Sequence, residues 1–200
     1  LLSAVLYGSK MFIFGGHAGG YTNDVWELEL TTNAWSEVTT SGSKPTARRV
    51  MSVVLYGSSM VLFGGRDGGN KNDVWKLDLT SFAWSTVTTS GGPPSARFDC
   101  PAVLYGTKML IFGGHDATNY LGDVWQLELT TNIWTQISPT GGPPSARTTH
   151  SVVLYNSKMV VFGGDSSNGK LNDVWHLELT TNIWTQVSGG LVTARSGHTA

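Results

Sequence analysis

The chain has little of several things that mark particular classes of protein. Its 200 residues contain a single cysteine, Cys100, which excludes an internal disulfide framework. Lysine and arginine number 13 against 14 acidic residues, and no basic run occurs that would bind nucleic acid or an anionic membrane surface. No long apolar stretch and no signal-peptide pattern occur. The composition therefore argues against a nucleic-acid or membrane partner.

Two further absences concern the compartment and the ends of the chain. No Asn-x-Ser/Thr glycosylation sequon occurs although all three residue types are abundant, and with the lone thiol this favours a reducing, cytoplasmic compartment. There is no initiating methionine, and the chain begins in mid-strand. We therefore expect both termini to be truncated.

What the chain does have is a fourfold repeat with a period of about fifty residues. Each copy has a Gly pair, then an Asp-Val-Trp segment, then a second Trp nine residues after the first. The first Trp of each copy is Trp26, Trp75, Trp125 or Trp175, and the second is Trp35, Trp84, Trp134 or Trp184. Fold and function must therefore be argued for each repeat unit.

One copy is sufficient to predict the local structure. In the fourth copy, residues 149–155, 158–162, 173–179 and 183–187 are β-branched and aromatic runs of strand length, separated by turn residues. Each unit is thus predicted to be a four-stranded antiparallel sheet without a helix. One such sheet cannot bury two Trp residues, whereas sheets stacked around an axis bury them between neighbours.

The pattern therefore predicts an all-β propeller with four four-stranded antiparallel blades. The apolar first strand is expected to lie innermost, the polar fourth strand at the outer edge, and all eight Trp residues in the core.

The same residues resemble a known family. The Gly pair, the two Trp positions and the lead-in at 144–150, Pro-x-x-Arg-x-x-His, look like the kelch repeat of the kelch-repeat β-propeller family, over essentially the whole chain. That resemblance implies a propeller used mostly for binding and in a few members for catalysis. The lead-in His is replaced by Leu2, Met51 and Cys100 in the other copies, so no role of that position extends to the whole ring.

The repeat also predicts how the chain is divided. We expect one propeller segment over 1–200, with blades at about 1–40, 47–89, 96–138 and 146–188, and the start of a further first strand at 194–200. The N-terminal and C-terminal ends of the chain would then occupy the same strand position. Propellers have about four to eight blades, and the resemblance implies more than four, so we expect additional repeats or self-association with a second chain to close the ring. A closed four-bladed ring is the less favoured alternative.

One face of this propeller is the predicted binding surface. The loops between strands 2 and 3 and between strand 4 and the next strand 1 emerge on the same face and differ among the copies, whereas the turns on the other face are nearly uniform. Loops that diverged without any ligand are the alternative. The candidate partner-binding residues are His17, Tyr21, Arg49, Arg66, Asp67, Asn70, His115, Asp116, Asn119, Tyr120, Asp165, Asn168 and Lys170.

A recurring arginine adds four candidates, Arg48, Arg97, Arg147 and Arg195. As a ring at the mouth of the first strands, these residues could clamp carboxylates of a partner peptide. The alternative is a repeated ion pair between blades, with Asp24, Asp73, Asp123 and Asp173 as the partners.

The sequence gives less support for an enzymatic function. A metal site needs three or four converging ligands, and His17, His115 and Asp165 are spread over different copies. Among kelch-like enzymes, the copper sugar oxidases use Tyr, His and a Cys-linked Tyr, and plant specifier proteins use iron on acidic loop residues. Cys100, the only thiol, is expected to be a small buried hydrophobic residue, and no loop holds a dense carboxylate cluster. We expect no catalytic residue, metal or cofactor.

The sequence therefore predicts non-enzymatic recognition of a protein or peptide. A metal-dependent kelch-type enzyme and a structural repeat of a filament or cytoskeletal assembly stay open as alternatives.

Overall fold

A computed structural model of the chain describes residues 4–188 and 192–198. Within these residues, sixteen β-strands form four sheets of four. The strands are β1 (Ala4–Tyr7), β2 (Lys10–His17), β3 (Tyr21–Glu29), β4 (Ala34–Glu37), β5 (Ser52–Tyr56), β6 (Ser59–Phe63), β7 (Val74–Asp78), β8 (Ala83–Val87), β9 (Ala102–Tyr105), β10 (Lys108–Phe112), β11 (Val124–Glu128), β12 (Ile133–Ile137), β13 (Ser151–Tyr155), β14 (Lys158–Ser166), β15 (Gly169–Glu178) and β16 (Ile183–Val187).

Each sheet is an antiparallel meander in which the strands follow chain order. The turn between the first two strands requires a left-handed backbone, which explains why Gly alternates with Asn there. The φ angles at this position are 62° at Gly8, 59° at Gly57, 60° at Gly106 and 53° at Asn156. No helix in the described part of the chain is long and apolar enough to cross a membrane.

The four sheets are arranged as propeller blades, which confirms the predicted fold. The first strands of successive blades contact each other, β1 with β5, β5 with β9 and β9 with β13. The fourth strands lie at the outer edge, where all four residues of β4 are exposed. We number the blades 1 to 4 in chain order.

The core consists of three apolar clusters, each shared by two neighbouring blades. In every cluster a Phe that precedes the Gly pair packs against the second Trp of the next blade. The ring centroids are 4.9 Å apart for Phe14 and Trp84, 5.0 Å for Phe63 and Trp134, and 5.2 Å for Phe112 and Trp184. These tilted and edge-on geometries are favourable for aromatic pairs.

The prediction that all eight Trp residues are core is wrong for Trp35, whereas Trp75, Trp125 and Trp175 pack against the core clusters as partly buried side chains. Trp84, Trp134 and Trp184 are buried, but Trp35 is 49% exposed because no described blade packs against its side of blade 1. The third-strand Trp residues are half-buried, and each donates its indole N–H to the Asp two residues earlier, as Trp75 does to Asp73 at 2.7 Å.

The Gly pairs lie at close approaches between neighbouring blades. A Cβ atom at Gly64 would lie 2.7 Å from the carbonyl oxygen of Arg97, and one at Gly113 would lie 2.6 Å from that of Arg147. Both glycines also have positive φ. These positions therefore accept only Gly, because the connecting segment to the next blade passes directly over them.

Candidate partner-binding surface

Main-chain pairing brings the two kinds of variable segment together on one face. In blades 2, 3 and 4, the residue that follows the recurring Arg pairs in antiparallel fashion with the residue that follows the Gly pair. Arg49 and Arg66 exchange two N–H to C=O bonds of 3.0 Å, and Phe98 and His115 exchange bonds of 3.1 and 3.0 Å. Thr148 and Asp165 make the same pair in blade 4, with both bonds at 2.9 Å.

A second pairing extends each of these bridges into the loop. Arg66 pairs with Asn70, and His115 pairs with Tyr120. The residue after the Arg, the residue after the Gly pair and the residue at the end of the loop therefore present their side chains at one rim.

The two arginines of this rim lie against aromatic rings of neighbouring blades. The Cζ atom of Arg49 is 5.6 Å from the ring centroid of Tyr21 in blade 1. The Cζ atom of Arg66 is 5.4 Å from the ring centroid of Phe98, in the segment that leads into blade 3. Cation–π contacts at these distances favour extended, ordered guanidinium groups.

Aromatic contacts continue the series toward blade 4. The ring of His115 lies 5.4 Å from Phe98 and 5.1 Å from Tyr120, and the Tyr120 hydroxyl donates to Asp165 at 3.2 Å. Partial desolvation and this carboxylate raise the pKa of Tyr120, so its proton stays in place. We call this set the rim arc: Tyr21, Arg49, Arg66, Phe98, His115, Tyr120 and Asp165.

The electrostatics of the rim arc leave hydrogen-bond donors available. Within the described residues, neither Arg49 nor Arg66 forms an ion pair with a carboxylate. The unpartnered Oδ1 of Asp99 is buried, and burial raises the pKa of this carboxyl group although the charges of Arg49 and His115 oppose the rise. The exposed surface can therefore donate hydrogen bonds to a carboxylate.

Two other predicted site residues stabilise the loops themselves. Asp67 accepts a hydrogen bond of 2.6 Å from Thr46 and pairs with Lys71 at 3.0 Å, while Asp116 accepts two backbone N–H bonds of 2.9 and 2.7 Å from its own turn. Their carboxylates are thus already satisfied. The remaining loop candidates, at the same face, are His17, Asn70, Asn119, Asn168 and Lys170.

The recurring arginines form ion pairs between blades. The buried Arg48 guanidinium donates to both oxygens of Asp73 at 2.6 and 2.9 Å and to the Gly64 carbonyl at 3.0 Å. Burial of Asp73 opposes ionisation, but its hydrogen bonds and the Arg48 charge outweigh burial and lower its pKa. The same contacts recur between Arg97 and Asp123 and between Arg147 and Asp173.

This is the ion-pair alternative that the sequence offered. The three buried arginines are not accessible to a partner, so we leave them out of the proposed binding surface. Arg195 is exposed, and its guanidinium donates to Thr193.

Comparison with known proteins agrees with this architecture. The KLHDC2/KLHL20/DRC7 Kelch-repeats domain matches residues 2–200. The chain belongs to the kelch-repeat family. Kelch propellers commonly act as protein-interaction modules, so the family and the fold support a binding role. A segment of 39 residues is also 44% identical to human host cell factor 2, covering 20% of this chain and about 5% of that protein.

The chemistry of other sites in this kelch chain is limited. Among the residues that the structure describes, no group of three or more His, Cys, Asp or Glu side chains is placed to hold a metal ion. Cys100 is buried, as predicted, and burial raises the pKa of its thiol to about 11. A thiol of this kind is protonated and unreactive at neutral pH.

The sequence reasoning missed Phe98. The signal was present, because the residue after the recurring Arg is Arg49, Phe98, Thr148 or Ser196, a position as divergent as the loops. Only Arg49 was selected there, since Phe98 reads as a strand residue when it is considered alone.

Proposed function

We propose that this kelch propeller segment is a non-enzymatic recognition module that binds a protein or peptide along the rim arc. The observation that carries the proposal is the continuity of the arc. Side-chain contacts join Tyr21 to Arg49 and run from Arg66 to Asp165, the main-chain pair of Arg49 and Arg66 joins the two stretches, and each residue is half-buried or exposed. Loops that had only drifted would not be expected to keep such a series of contacts across four blades.

The free polar groups define the partner chemistry. Arg49 and Arg66 present guanidinium donors without a carboxylate of their own among the described residues, which suits an acidic side chain. The rings of Phe98 and Tyr120 offer apolar contact area beside these donors. An acidic peptide segment that also carries an apolar side chain would match both features.

A displayed library of random peptides can test this function. The library is selected on the immobilised chain, and enriched peptides are measured by calorimetry against variants. Arg66→Glu and Tyr120→Ala should each weaken binding by about 1 kcal/mol or more, as is common for interface Arg and Tyr.

Lys158→Glu is the matched control, because this residue begins β14 next to the turn on the opposite face. Its effect should stay within about 0.5 kcal/mol. Failure to enrich acidic peptides, or a larger effect of Lys158→Glu in a folded protein, would contradict the proposal.

A further inference from the structure

A groove between blades 2 and 3 lies beside the turns of the face opposite the rim arc. Its volume is about 480 Å³, within the range of about 300–1,000 Å³ that is typical of small-molecule sites. Three cross-strand partners, Val61, Lys76 and Ser85, line its blade 2 wall. Leu129 and Asn132 line its blade 3 wall. The groove is therefore formed by two blades and shares no residue with the rim arc.

Small side chains keep this groove open. In the interface of blades 1 and 2, Phe12 stands at the position of Val61, and Phe82 stands at the position of Asn132. The ring centroids of Phe12 and Phe82 are 6.3 Å apart, and both rings pack into the core cluster that these two blades share. Val61 and Asn132 lack such rings. The space is therefore a property of the interface between blades 2 and 3 and not of the repeat in general.

Blade 1 shows which group suits the polar side of this groove. There the Glu27 carboxylate accepts hydrogen bonds from the Lys10 ammonium at 2.7 Å and from the Ser36 hydroxyl at 3.2 Å. The residues of blade 2 that correspond to Lys10, Glu27 and Ser36 are Ser59, Lys76 and Ser85. Blade 2 thus has an ammonium group and hydroxyl donors, but it has lost the carboxylate that accepts from them.

The donors that line the groove have no acceptor in the described part of the chain. Lys76 forms no ion pair and no side-chain hydrogen bond there. Ser59 is only 9% exposed, and its hydroxyl has no hydrogen-bond partner among the same residues. Asp78 pairs with Ser59 in the ladder but does not line the groove, and its Oδ1 accepts the N–H groups of Thr80 and Ser81 at 2.8 and 2.9 Å. Donors of this kind are suited to an anion.

We propose that this groove binds a small organic carboxylate. The Lys76 ammonium and the hydroxyls of Ser59 and Ser85 donate to the carboxylate oxygens, as the Lys and Ser of blade 1 donate to their Glu. Val61 and Leu129 contact the apolar part of the molecule. The site lies on the opposite face from the proposed peptide-binding surface, so the two proposals stand or fall separately.

Titration with phenylacetate, followed by ¹⁵N–¹H correlation NMR of the folded chain, tests the proposal. Phenylacetate carries a carboxylate and an apolar ring, and phenylacetamide is its uncharged counterpart. Phenylacetate should cause saturable shifts of the amide signals of Ser59, Lys76, Ser85 and Asn132. Phenylacetamide should bind at least about tenfold more weakly, because it lacks the charge that strengthens the hydrogen bonds from Lys76 and the two serines.

Two variants test the assigned residues. Lys76→Gln should raise the dissociation constant of phenylacetate at least about tenfold, because it removes the ammonium donor from an exposed side chain. The double variant Val61→Phe with Asn132→Phe reproduces the Phe pair of the first interface and should abolish binding by filling the groove. The turn accepts this change, since Phe82 has a φ of 54° and Asn132 one of 58°.

Lys108→Gln is the matched control. It removes the same charge from the start of β10 in blade 3, outside the groove, and should leave the dissociation constant unchanged. Arg66→Glu, in the rim arc, should also have no effect on phenylacetate binding. Circular dichroism spectra should show that every variant is folded. Absence of saturable shifts in the parent protein, equal affinity for the amide, or unchanged binding by Lys76→Gln would each overturn the proposal.

Discussion

His150 gives the most quantitative prediction, because it is a histidine in an apolar site. It is 2% exposed and lies edge-on to Phe112 with ring centroids 5.3 Å apart. Burial lowers its pKa from 6.5 to about 3, with further lowering from the charges of Arg147 and His198. Met51 and Cys100 occupy the same place in blades 2 and 3, so His150→Met is a replacement that the fold already accepts.

The sign of the pH effect follows from proton binding. Below pH 6.5 the unfolded chain protonates this imidazole, but the folded chain does not until the pH approaches 3. The free energy of unfolding therefore decreases as the pH is lowered through this range, by about 1.4 kcal/mol per pH unit. At pH 5 the histidine should cost the wild-type protein about 2 kcal/mol relative to pH 7.5.

Urea unfolding at pH 7.5, 6.5 and 5.0, followed by Trp fluorescence, measures this difference. At pH 7.5 the two proteins differ only by packing, so that value serves as the reference. Between pH 7.5 and 5.0, the unfolding free energy of His150→Met should rise by about 2 kcal/mol relative to that of the wild type. The contributions of the other titrating groups are the same in both proteins and cancel in this comparison. Parallel stability curves over that range would refute the reasoning.

Three further substitutions test the blade interfaces. Trp134→Ala should cost about 3–5 kcal/mol of unfolding free energy because this side chain is fully buried. The equivalent Trp35→Ala should cost about 1 kcal/mol because Trp35 is 49% exposed. Equal costs in urea unfolding would contradict the assigned burial. Asp123→Asn should cost about 3 kcal/mol because Arg97 stays buried without a countercharge, the low end of the range since Asp123 is 26% exposed. A loss below 1 kcal/mol in thermal or urea unfolding would show that the pair is dispensable.

The fold was predictable because each requirement repeats in every copy. Asn156 in place of three glycines indicates one left-handed turn position, and the Trp spacing indicates sheets that must stack. The solvent exposure of Trp35 was not predictable in this way. Its burial depends on a neighbouring blade and not on its own segment, so the repeat pattern gave it the same expectation as Trp84.

The candidate site was predictable in outline and not in detail. Divergence among the loops indicated Arg66, His115 and Tyr120. In the structure, Arg66 and His115 both contact Phe98, and His115 also contacts Tyr120. The choice between a partner clamp and an ion pair at Arg48 needed coordinates, because it depends on whether the guanidinium points to the axis or to Asp73. Phe98 was missed because contacts between blades cannot be read from one strand.

The pairing of Arg49 with Arg66 and of Phe98 with His115 uses main-chain groups alone. The hydrogen bonds that support the rim therefore do not depend on which side chains are present there. Exchanging these side chains should alter affinity and selectivity while the ladder beneath them stays intact. The same backbone is thus suited to randomisation at three positions per blade, and new specificities can arise on it by single substitutions, without a compensating change in the core.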